Sequence, residues 1–269
     1  MLPREDLLRN VEHRETLARV LDLADRALRT WTVEQSKFLS PAEVGEILPR
    51  LAPLTELVAV AWGGYPQAER QRLALARPSL LVADNPDDPS SLAKEYVELA
   101  ALDIRGNFLF DTATHRDFLG AILGTGIVRD KLGDILVLGE QGAQVLVVPE
   151  LVEHLQFSLT QVRSVPVKVR QIGLDELKVR PPRKKAITTV EASLRLDAIA
   201  SAGFSTSRSR MAELIQSGDV KVNWRTISQS SRSVQPEDLI SIRGRGRVEV
   251  GDINQTKKGR YRVELTRFL

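Results

Sequence analysis

The sequence predicts an α+β protein, and three observations support this prediction. Apolar residues before residue 50 recur at three- and four-residue spacing, as they do on one face of an amphipathic helix. The middle of the chain alternates short apolar runs with helical segments, and the last third combines two short helices with short strands. We therefore expect an α/β N-terminal region (residues 1–91), a middle domain (92–179), a basic linker (180–187) and a C-terminal domain (188–269).

The N-terminal region is predicted to be largely helical up to residue 50. The apolar stripe of its main helix consists of Leu17, Val20, Leu21, Ala24 and Leu28. A second helix is predicted to start at Ser40, because this hydroxyl cap is followed by a proline and then by Glu43 three residues after the cap, and to end near Pro49. The rest of the region is predicted to contain a strand at 57–61, a helix at 67–76, a strand at 80–83 and a loop at 84–91.

The middle domain has a recognisable order of elements. Strands are predicted at 96–104, 135–138, 145–148 and 165–172, and helices at 114–123 and 149–161. Thr114 is a suitable cap for the first helix, and the glycine-containing segment 139–142 indicates a hairpin. This β-α-β-β-α-β order predicts a ferredoxin-like domain, in which both helices cover one face of the sheet.

The predicted linker leads into a domain with two short helices. Residues 180–185 contain four cations and two prolines in six positions, which favours a semi-rigid basic linker. The helices are predicted at 193–203, where Gly203 is the stop, and at 205–218. Strands are predicted at 219–224 and 234–242.

The composition excludes several kinds of site. The 269-residue chain has no cysteine, which rules out disulfides, thiolate metal sites and cysteine nucleophiles, and its three histidines (His13, His115 and His154) lack metal-ligand spacing. No apolar run approaches the ~20 residues of a membrane span, and Glu5 and Asp6 argue against a secretion signal. We expect a cytoplasmic protein with no catalytic site, metal, cofactor or small-molecule substrate.

The net charge of +3 conceals an uneven distribution. Residues 180–269 contain 18 lysine and arginine residues against 9 aspartate and glutamate residues, a net charge of +9, whereas residues 1–179 have a net charge of −6. A basic module on an acidic body is typical of a protein that binds a polyanion such as nucleic acid. A basic face that is merely solvated would produce the same count.

Four short motifs follow one another in the C-terminal domain. They are Arg195-Leu196-Asp197, Ser207-Arg208 with Leu214-Ile215 and Gly218, Val220-Lys221-Val222-Asn223, and Asp238-Leu239-Ile240. In this order they resemble the S4 RNA-binding domain, which is named after a ribosomal protein. Met211 stands where that family usually has alanine, and we expect this change to affect packing alone. The resemblance implies an αL-type domain in which two helices and the next strand grip structured RNA.

The resemblance also implies which side chains contact RNA. Arginine forms forked contacts with phosphates, lysine supplies a point charge, and serine and asparagine donate short hydrogen bonds. Trp224 could stack on a base or simply pack in a turn, and both possibilities stay open. Together with the linker cations, the implied RNA-binding residues are Arg195, Ser207, Arg208, Ser209, Arg210, Lys221, Asn223, Arg225, Arg183, Lys184 and Lys185.

Motifs in the middle domain narrow the resemblance. Residues 114–121 (Thr-His-Arg-Asp-Phe-Leu-Gly-Ala), 126–129 (Gly-Ile-Val-Arg) and 131–135 (Lys-Leu-Gly-Asp-Ile) are similar to the YlmH family of bacteria and cyanobacteria, whose cyanobacterial members are often labelled photosystem II S4 domain proteins. The similarity extends from about residue 57 to the C-terminus. It implies binding to rRNA or tRNA on the large ribosomal subunit, in ribosome quality control of stalled nascent chains.

Two other functions stay open at this point. S4 modules are also attached to RNA-modifying enzymes, but residues 1–179 show no glycine-rich cofactor loop or nucleotide-binding signature. Alternatively, an adaptor in photosystem II assembly would use the basic face for acidic protein partners. The central strands of the middle domain lack the aromatic residues on which RNA-recognition motifs stack bases, so we expect any RNA contact there to depend on shape and charge.

Overall fold

The structure, a computed structural model, describes residues 2–82, 88, 90–179, 181, 183–242 and 244–268. The chain divides into two compact units, Met1–Val179 and Arg180–Leu269. The first unit comprises the N-terminal region and the middle domain, and the second contains the C-terminal domain. The predicted mixed α and β class is confirmed.

A three-stranded antiparallel sheet and its helices form the N-terminal region. The elements are α1 (Arg4–Leu7), α2 (Arg14–Thr30), β1 (Glu34–Gln35), α3 (Pro41–Leu51), β2 (Val58–Trp62) and β3 (Arg72–Ala76). The strand order is β1-β3-β2. All five residues of the predicted apolar stripe are buried in α2, and Ser40 and Glu43 form the predicted capping box of α3.

Two predictions for this region are wrong. Arg72–Ala76 is the central strand β3 and not part of a helix, because it pairs with strands on both sides and is buried throughout. These tertiary contacts outweigh the helix propensity of its leucine and alanine residues. A 3₁₀ turn at Pro78–Leu80 replaces the start of the predicted second strand, and residues 81–82 join no strand. Residues 83–87 and 89, within or beside the predicted loop, lie outside the described residues.

The middle domain has the predicted ferredoxin-like arrangement. Its elements are α4 (Ser91–Tyr96), β4 (Ala100–Arg105), α5 (His115–Gly124), β5 (Leu132–Val137), β6 (Gly142–Val147), α6 (Val152–Ser158), β7 (Gln161–Val162), β8 (Val165–Pro166) and β9 (Lys168–Ile172). The four longer strands form an antiparallel sheet in the order β5-β6-β4-β9. The predicted first strand starts too early, because Tyr96 ends α4, and the predicted last strand is divided between β8 and β9.

The two faces of this sheet are covered in different ways. Helices α5 and α6 pack on one face, where Leu102, Phe118 and Leu155 belong to the largest part of the core. On the other face, Phe38 of the N-terminal region packs with Ala101, Leu146, Val148 and Ile172. Gly133 makes room for the Phe38 ring, because a Cβ atom at Gly133 would lie 2.6 Å from Phe38 Cε1. The N-terminal region and the middle domain therefore share a core.

The C-terminal domain is a six-stranded antiparallel sheet with two helices on one face. The elements are β10 (Lys184–Glu191), α7 (Leu196–Phe204), α8 (Arg208–Gln216), β11 (Val220–Val222), β12 (Arg225–Thr226), β13 (Leu239–Ile242), β14 (Gly246–Gln255) and β15 (Tyr261–Phe268). The strand order is β10-β15-β14-β13-β11-β12. Met211 is fully buried in the core between the helices and the sheet.

The linker prediction needs a correction. Strand β10 begins at Lys184 and pairs with β15 along its whole length, so residues 184–187 belong to the sheet. The local sequence offered no sign of this pairing, because the partner strand lies about 75 residues further along the chain. Arg180 and Pro182 lie outside the described residues.

Candidate nucleic-acid interface

One buried carboxylate holds two of the predicted RNA-binding arginines. Arg195 is the N-cap residue of α7, Arg208 is the first residue of α8, and Asp197 is only 4% exposed. The Asp197 carboxylate accepts hydrogen bonds from Arg195 Nη2 at 2.8 Å, from Arg195 Nε at 3.2 Å and from Arg208 Nη2 at 3.1 Å. These three residues, called the Asp197 cluster below, join the starts of the two helices.

The ionisation of Asp197 depends on this arrangement. Burial by itself would raise the pKa of Asp197, but the hydrogen bonds and charges of Arg195 and Arg208 together outweigh burial, so the pKa lies below its ordinary value. Hydrogen bonding to Asp197 in turn raises the pKa of Arg195. The cluster thus carries one net positive charge.

The cluster also has the means to bind an anion. The arginine side chains are 38% and 55% exposed. A guanidinium group has five N–H donors, and the carboxylate takes two from Arg195 and one from Arg208. The remaining donors can therefore reach a phosphate oxygen from outside.

The start of α8 supplies further polar groups beside the cluster. Ser207 Oγ accepts a hydrogen bond from the Arg210 backbone N–H at 3.2 Å, so this hydroxyl caps the helix. Ser209 Oγ lies 3.3 Å from Ser207 Oγ, and Arg210 Nη1 forms an ion pair with Glu213 Oε2 at 2.6 Å. All four side chains are exposed, but the charge of Arg210 is shared with Glu213.

Lys221 lies on the opposite face of the sheet from the helices. Its neighbours Val220 and Val222 are buried in the core that α7 and α8 cover. Side chains alternate between the two faces of a strand, so Lys221 extends from the other face, where it is exposed. The predicted RNA-binding residues therefore do not form one surface.

Asn223 and Trp224 form the turn between β11 and β12. Both have positive φ angles, +48° and +68°, as in the two-residue turns of type I′. The Asn223 amide nitrogen donates to Asp238 Oδ1 at 2.7 Å, and its oxygen accepts from the Leu239 backbone N–H at 2.8 Å. The Arg247 guanidinium lies 5.6 Å from the centre of the Trp224 ring. The Asn223 side chain thus stabilises the turn that presents Trp224.

The remaining predicted residues lie at the edges of the domain. Arg225 is exposed on the edge strand β12, and Arg183, Lys184 and Lys185 are exposed before and in the opposite edge strand β10. Lys184 and Lys185 are consecutive strand residues, so their side chains extend from opposite faces.

Two functional candidates were missed by the sequence-based assignment. Asp197 and the buried Asp238 were part of the quoted motifs but received no role. Asp238 accepts hydrogen bonds from Asn223 and from the Gln235 backbone N–H. The sequence did contain a signal for Asp197. It lies in the first turn of an apolar helix, two positions after Arg195, and an acidic residue at that place can pair with the arginine.

Parts of the chain cover one portion of the middle sheet on the face opposite to α5 and α6. Phe38 packs on one end of this face, and Gln144, near the other end, is hydrogen-bonded to the chain that follows β9. The Gln144 side chain donates to the Glu176 carbonyl oxygen at 3.2 Å and accepts from the Lys178 backbone N–H at 2.7 Å. The remainder of this face carries the exposed arginines Arg105 and Arg170 and offers no aromatic ring in its four strands on which a base could stack.

Within the described part of the chain, no three histidine, aspartate or glutamate residues come together as a metal site would require. Among the same residues, no helix has the length and apolar character needed to cross a membrane.

Comparison with known proteins identifies the family. The family models for the YlmH N-terminal domain, the RNA-binding domain in YlmH and the S4 domain match residues 12–80, 93–176 and 194–240. The chain is 32% identical over 238 residues to the ribosome-associated protein quality control protein P2 of Bacillus subtilis (strain 168), and the match covers 88% of each chain. The chain belongs to the YlmH family.

A solved structure supports the fold of this YlmH-family chain. The cell division protein ylmH from Streptococcus pneumoniae has a TM-score of 0.51 and 22% identity, over 64% of this chain and 96% of that one. The S4 match contains the Asp197 cluster and β11, whereas β10, β14 and β15 lie outside it. The predicted YlmH-like S4-domain character is confirmed, and two domains of the chain are of RNA-binding families.

Proposed function

We propose that this chain is a cytoplasmic, non-enzymatic RNA-binding protein that associates with the ribosome. It recognises structured rRNA or tRNA, and it acts on the large subunit or on stalled translation complexes. The observation that carries the proposal is the Asp197 cluster, in which one buried carboxylate fixes two partly exposed guanidinium groups. The ribosome-associated quality control relative from Bacillus subtilis supports the ribosomal part.

The geometry of the cluster suits the phosphates of a folded RNA backbone. Two arginines that are already oriented lose less side-chain entropy on binding than two free ones. The start of α8 adds the partial positive charge of a helix N-terminus, and Ser209 adds a hydroxyl donor. We assign Arg195, Arg208, Ser209 and Arg210 to this phosphate-binding surface and give Asp197 the role of positioning the arginines. Ser207 acts as the helix cap.

The first test measures RNA affinity. A fluorescently labelled RNA hairpin without overhangs is titrated with the full chain and with Arg208→Ala, at several salt concentrations. Loss of one phosphate contact should weaken RNA binding about tenfold, to the same extent for hairpins of different sequence. It should also reduce the slope of log affinity against log salt concentration by about 1. Arg19→Ala is the control, because Arg19 is an exposed arginine of the acidic unit. Equal affinities for the parent and Arg208→Ala, or affinity independent of salt, would contradict the proposal.

The second test identifies the RNA. The tagged chain and an Arg195→Ala/Arg208→Ala variant are crosslinked to RNA in cells, and the attached RNA is sequenced. We expect one region of large-subunit rRNA, or tRNA, to be recovered with the parent and lost with the variant. Recovery of nothing above background from the parent would favour a protein-binding adaptor. Turnover with labelled S-adenosylmethionine, or modification of uridine, would contradict the non-enzymatic assignment.

A further inference from the structure

The register of the C-terminal sheet places six side chains in one row across all six strands. The cross-strand pairs are Thr226 with Lys221, Lys221 with Ser241, Ser241 with Arg247, Arg247 with Phe268, and Phe268 with Lys184. Directly paired residues extend from the same face of a sheet. Because the neighbours of Lys221 in β11 are buried under the helices, this row lies on the face opposite to α7 and α8. We call it the sheet-face row.

The row combines cations with aromatic rings. Lys184 Nζ lies 5.3 Å from the centre of the Phe268 ring, and Arg247 lies 5.6 Å from the Trp224 ring in the adjoining turn. Three cations and two rings therefore occur along about 20 Å of sheet, since neighbouring strands are ~4.8 Å apart. On the same face, the neighbouring row of cross-strand pairs contains Glu249, and the row beyond that contains Glu264. The basic surface is consequently a narrow strip that runs across the strands.

We propose that the sheet-face row is a second RNA-binding surface, which takes about three unpaired nucleotides by stacking bases on Trp224 and Phe268 and by binding phosphates with Lys184, Lys221 and Arg247. The inference rests on the proposed RNA-binding function and extends it. The Asp197 cluster holds a paired segment on the helical face, and the sheet-face row holds a neighbouring unpaired one.

The chemistry of the row favours single-stranded nucleic acid over other polyanions. Every base has a flat face that stacks on an aromatic ring, and its phosphates follow at regular intervals. An acidic peptide would use the cations but gain little from the rings. A perfectly paired helix keeps its bases stacked within the duplex, so the rings would have nothing to bind.

Trp224 allows a clean substitution. Glycine is favoured at the second position of this turn, where Trp224 has φ +68°, so Trp224→Gly removes the ring and preserves the backbone. Phe268→Leu removes the second ring and keeps an apolar side chain, and Lys221→Gln removes a central charge. Thermal unfolding of each variant establishes that it is folded.

The experiment compares two labelled RNAs on the full chain: a six-nucleotide unpaired oligonucleotide and a hairpin without overhangs whose loop is replaced by a hexaethylene glycol linker, so that it has no unpaired nucleotide. We expect Trp224→Gly and Phe268→Leu each to weaken oligonucleotide binding about tenfold, a typical value for one stacked base, and to leave hairpin binding unchanged. Lys221→Gln should weaken oligonucleotide binding less, by about threefold. The control Lys258→Gln, in the turn at the far end of β14, should leave both affinities unchanged.

The outcomes separate this inference from the proposed function. Arg208→Ala should weaken the hairpin and not the oligonucleotide, which is the opposite pattern to Trp224→Gly. If folded Trp224→Gly and Phe268→Leu bind the oligonucleotide as tightly as the parent, the row is not a stacking surface, whatever Arg208→Ala does. Binding of polyglutamate as tight as that of the oligonucleotide would also overturn the inference, because it would show a general anion surface.

Discussion

The middle and C-terminal sheets each have one face covered by two helices, but their other faces differ. In the middle domain, one end of that face is apolar and lies under Phe38, whereas Arg105 and Arg170 are exposed at the other end. In the C-terminal domain, the corresponding face presents the sheet-face row, with Lys184 and Lys221 exposed. The apolar end of the first face forms a shared core with the N-terminal region. The second face combines its cations with aromatic rings, which the strands of the middle sheet lack.

This difference shows how the residues on a sheet face determine whether another part of the chain covers it. A sheet face with short apolar residues is stabilised when another part of the chain removes it from water. A face with lysine and arginine cannot be covered in that way without the cost of burying charge. The following substitutions test the comparison, beginning with the largest expected effect.

Phe38→Ala should produce the largest loss of stability. Phe38 is 2% exposed and lies between the N-terminal region and the middle sheet, so its removal leaves a cavity in a shared core. We expect the free energy of unfolding of the first unit to fall by about 3–5 kcal/mol in urea denaturation. Phe110→Ala is the matched control, because Phe110 is 92% exposed and should change stability by less than about 0.5 kcal/mol. A loss below about 1 kcal/mol for Phe38→Ala would show that this face does not depend on the phenylalanine.

Asn223→Ala should have the next largest effect on stability, in the turn beside the sheet-face row. The change removes hydrogen bonds to Asp238 and Leu239, leaves the buried Asp238 with fewer donors and places alanine at φ +48°. We expect a loss of about 2–3 kcal/mol in unfolding experiments. Asn223→Gly loses the same hydrogen bonds but tolerates the backbone angle, so it should be about 1 kcal/mol more stable than Asn223→Ala. Equal stability of the two variants would mean that the backbone is not strained.

Asp197→Asn examines the helical face of the same domain. Asparagine keeps the size but loses the charge that Arg195 and Arg208 bind, and we expect a loss of about 1–2 kcal/mol at pH 7, since both arginines are partly exposed. The pKa of Asp197 is lower in the folded state than the ~3.9 of an unfolded aspartate. Its contribution is therefore complete above that unfolded value and disappears as the pH falls through the folded-state pKa.

The stability difference between the parent and Asp197→Asn should consequently be constant from pH 7 to about pH 5 and shrink below about pH 4. Urea denaturation at each pH measures it. A difference that persists undiminished at pH 2 would mean that the aspartate charge is not its source.

Trp224→Gly should have the smallest effect on stability. The substitution relieves a positive φ angle, which costs a large side chain about 1 kcal/mol, but it loses the contact with Arg247, which contributes a comparable amount. We expect a net change of less than about 1 kcal/mol by thermal unfolding. A loss above about 2 kcal/mol would show that Trp224 is a packing residue of the turn and would argue against base stacking on its ring in the sheet-face row.

Local patterns predicted those elements whose signals lie within a few residues of one another. The stripe of α2, the capping box at Ser40 and the ferredoxin-like order all depend on neighbours in the sequence. The failures depend on distant partners. Arg72–Ala76 became a strand because β1 and β2 enclose it, and Lys184 entered the sheet because β15 pairs with it. Helix propensity and linker composition do not contain that information.

In the candidate site, too, the sequence determined the chemistry of the side chains, and the tertiary structure determined their partners. The ordered motifs predicted RNA contacts for Arg195, Arg208, Lys221 and Asn223, and the basic charge of residues 180–269 indicated a polyanionic partner. Only the tertiary structure showed that Arg195 and Arg208 share Asp197, that Lys221 lies on the other face and that Asn223 is held in a turn. The physical reason is that residue type determines which bonds a side chain can form, whereas the pairing of distant strands and the burial beneath helices determine which partners it meets.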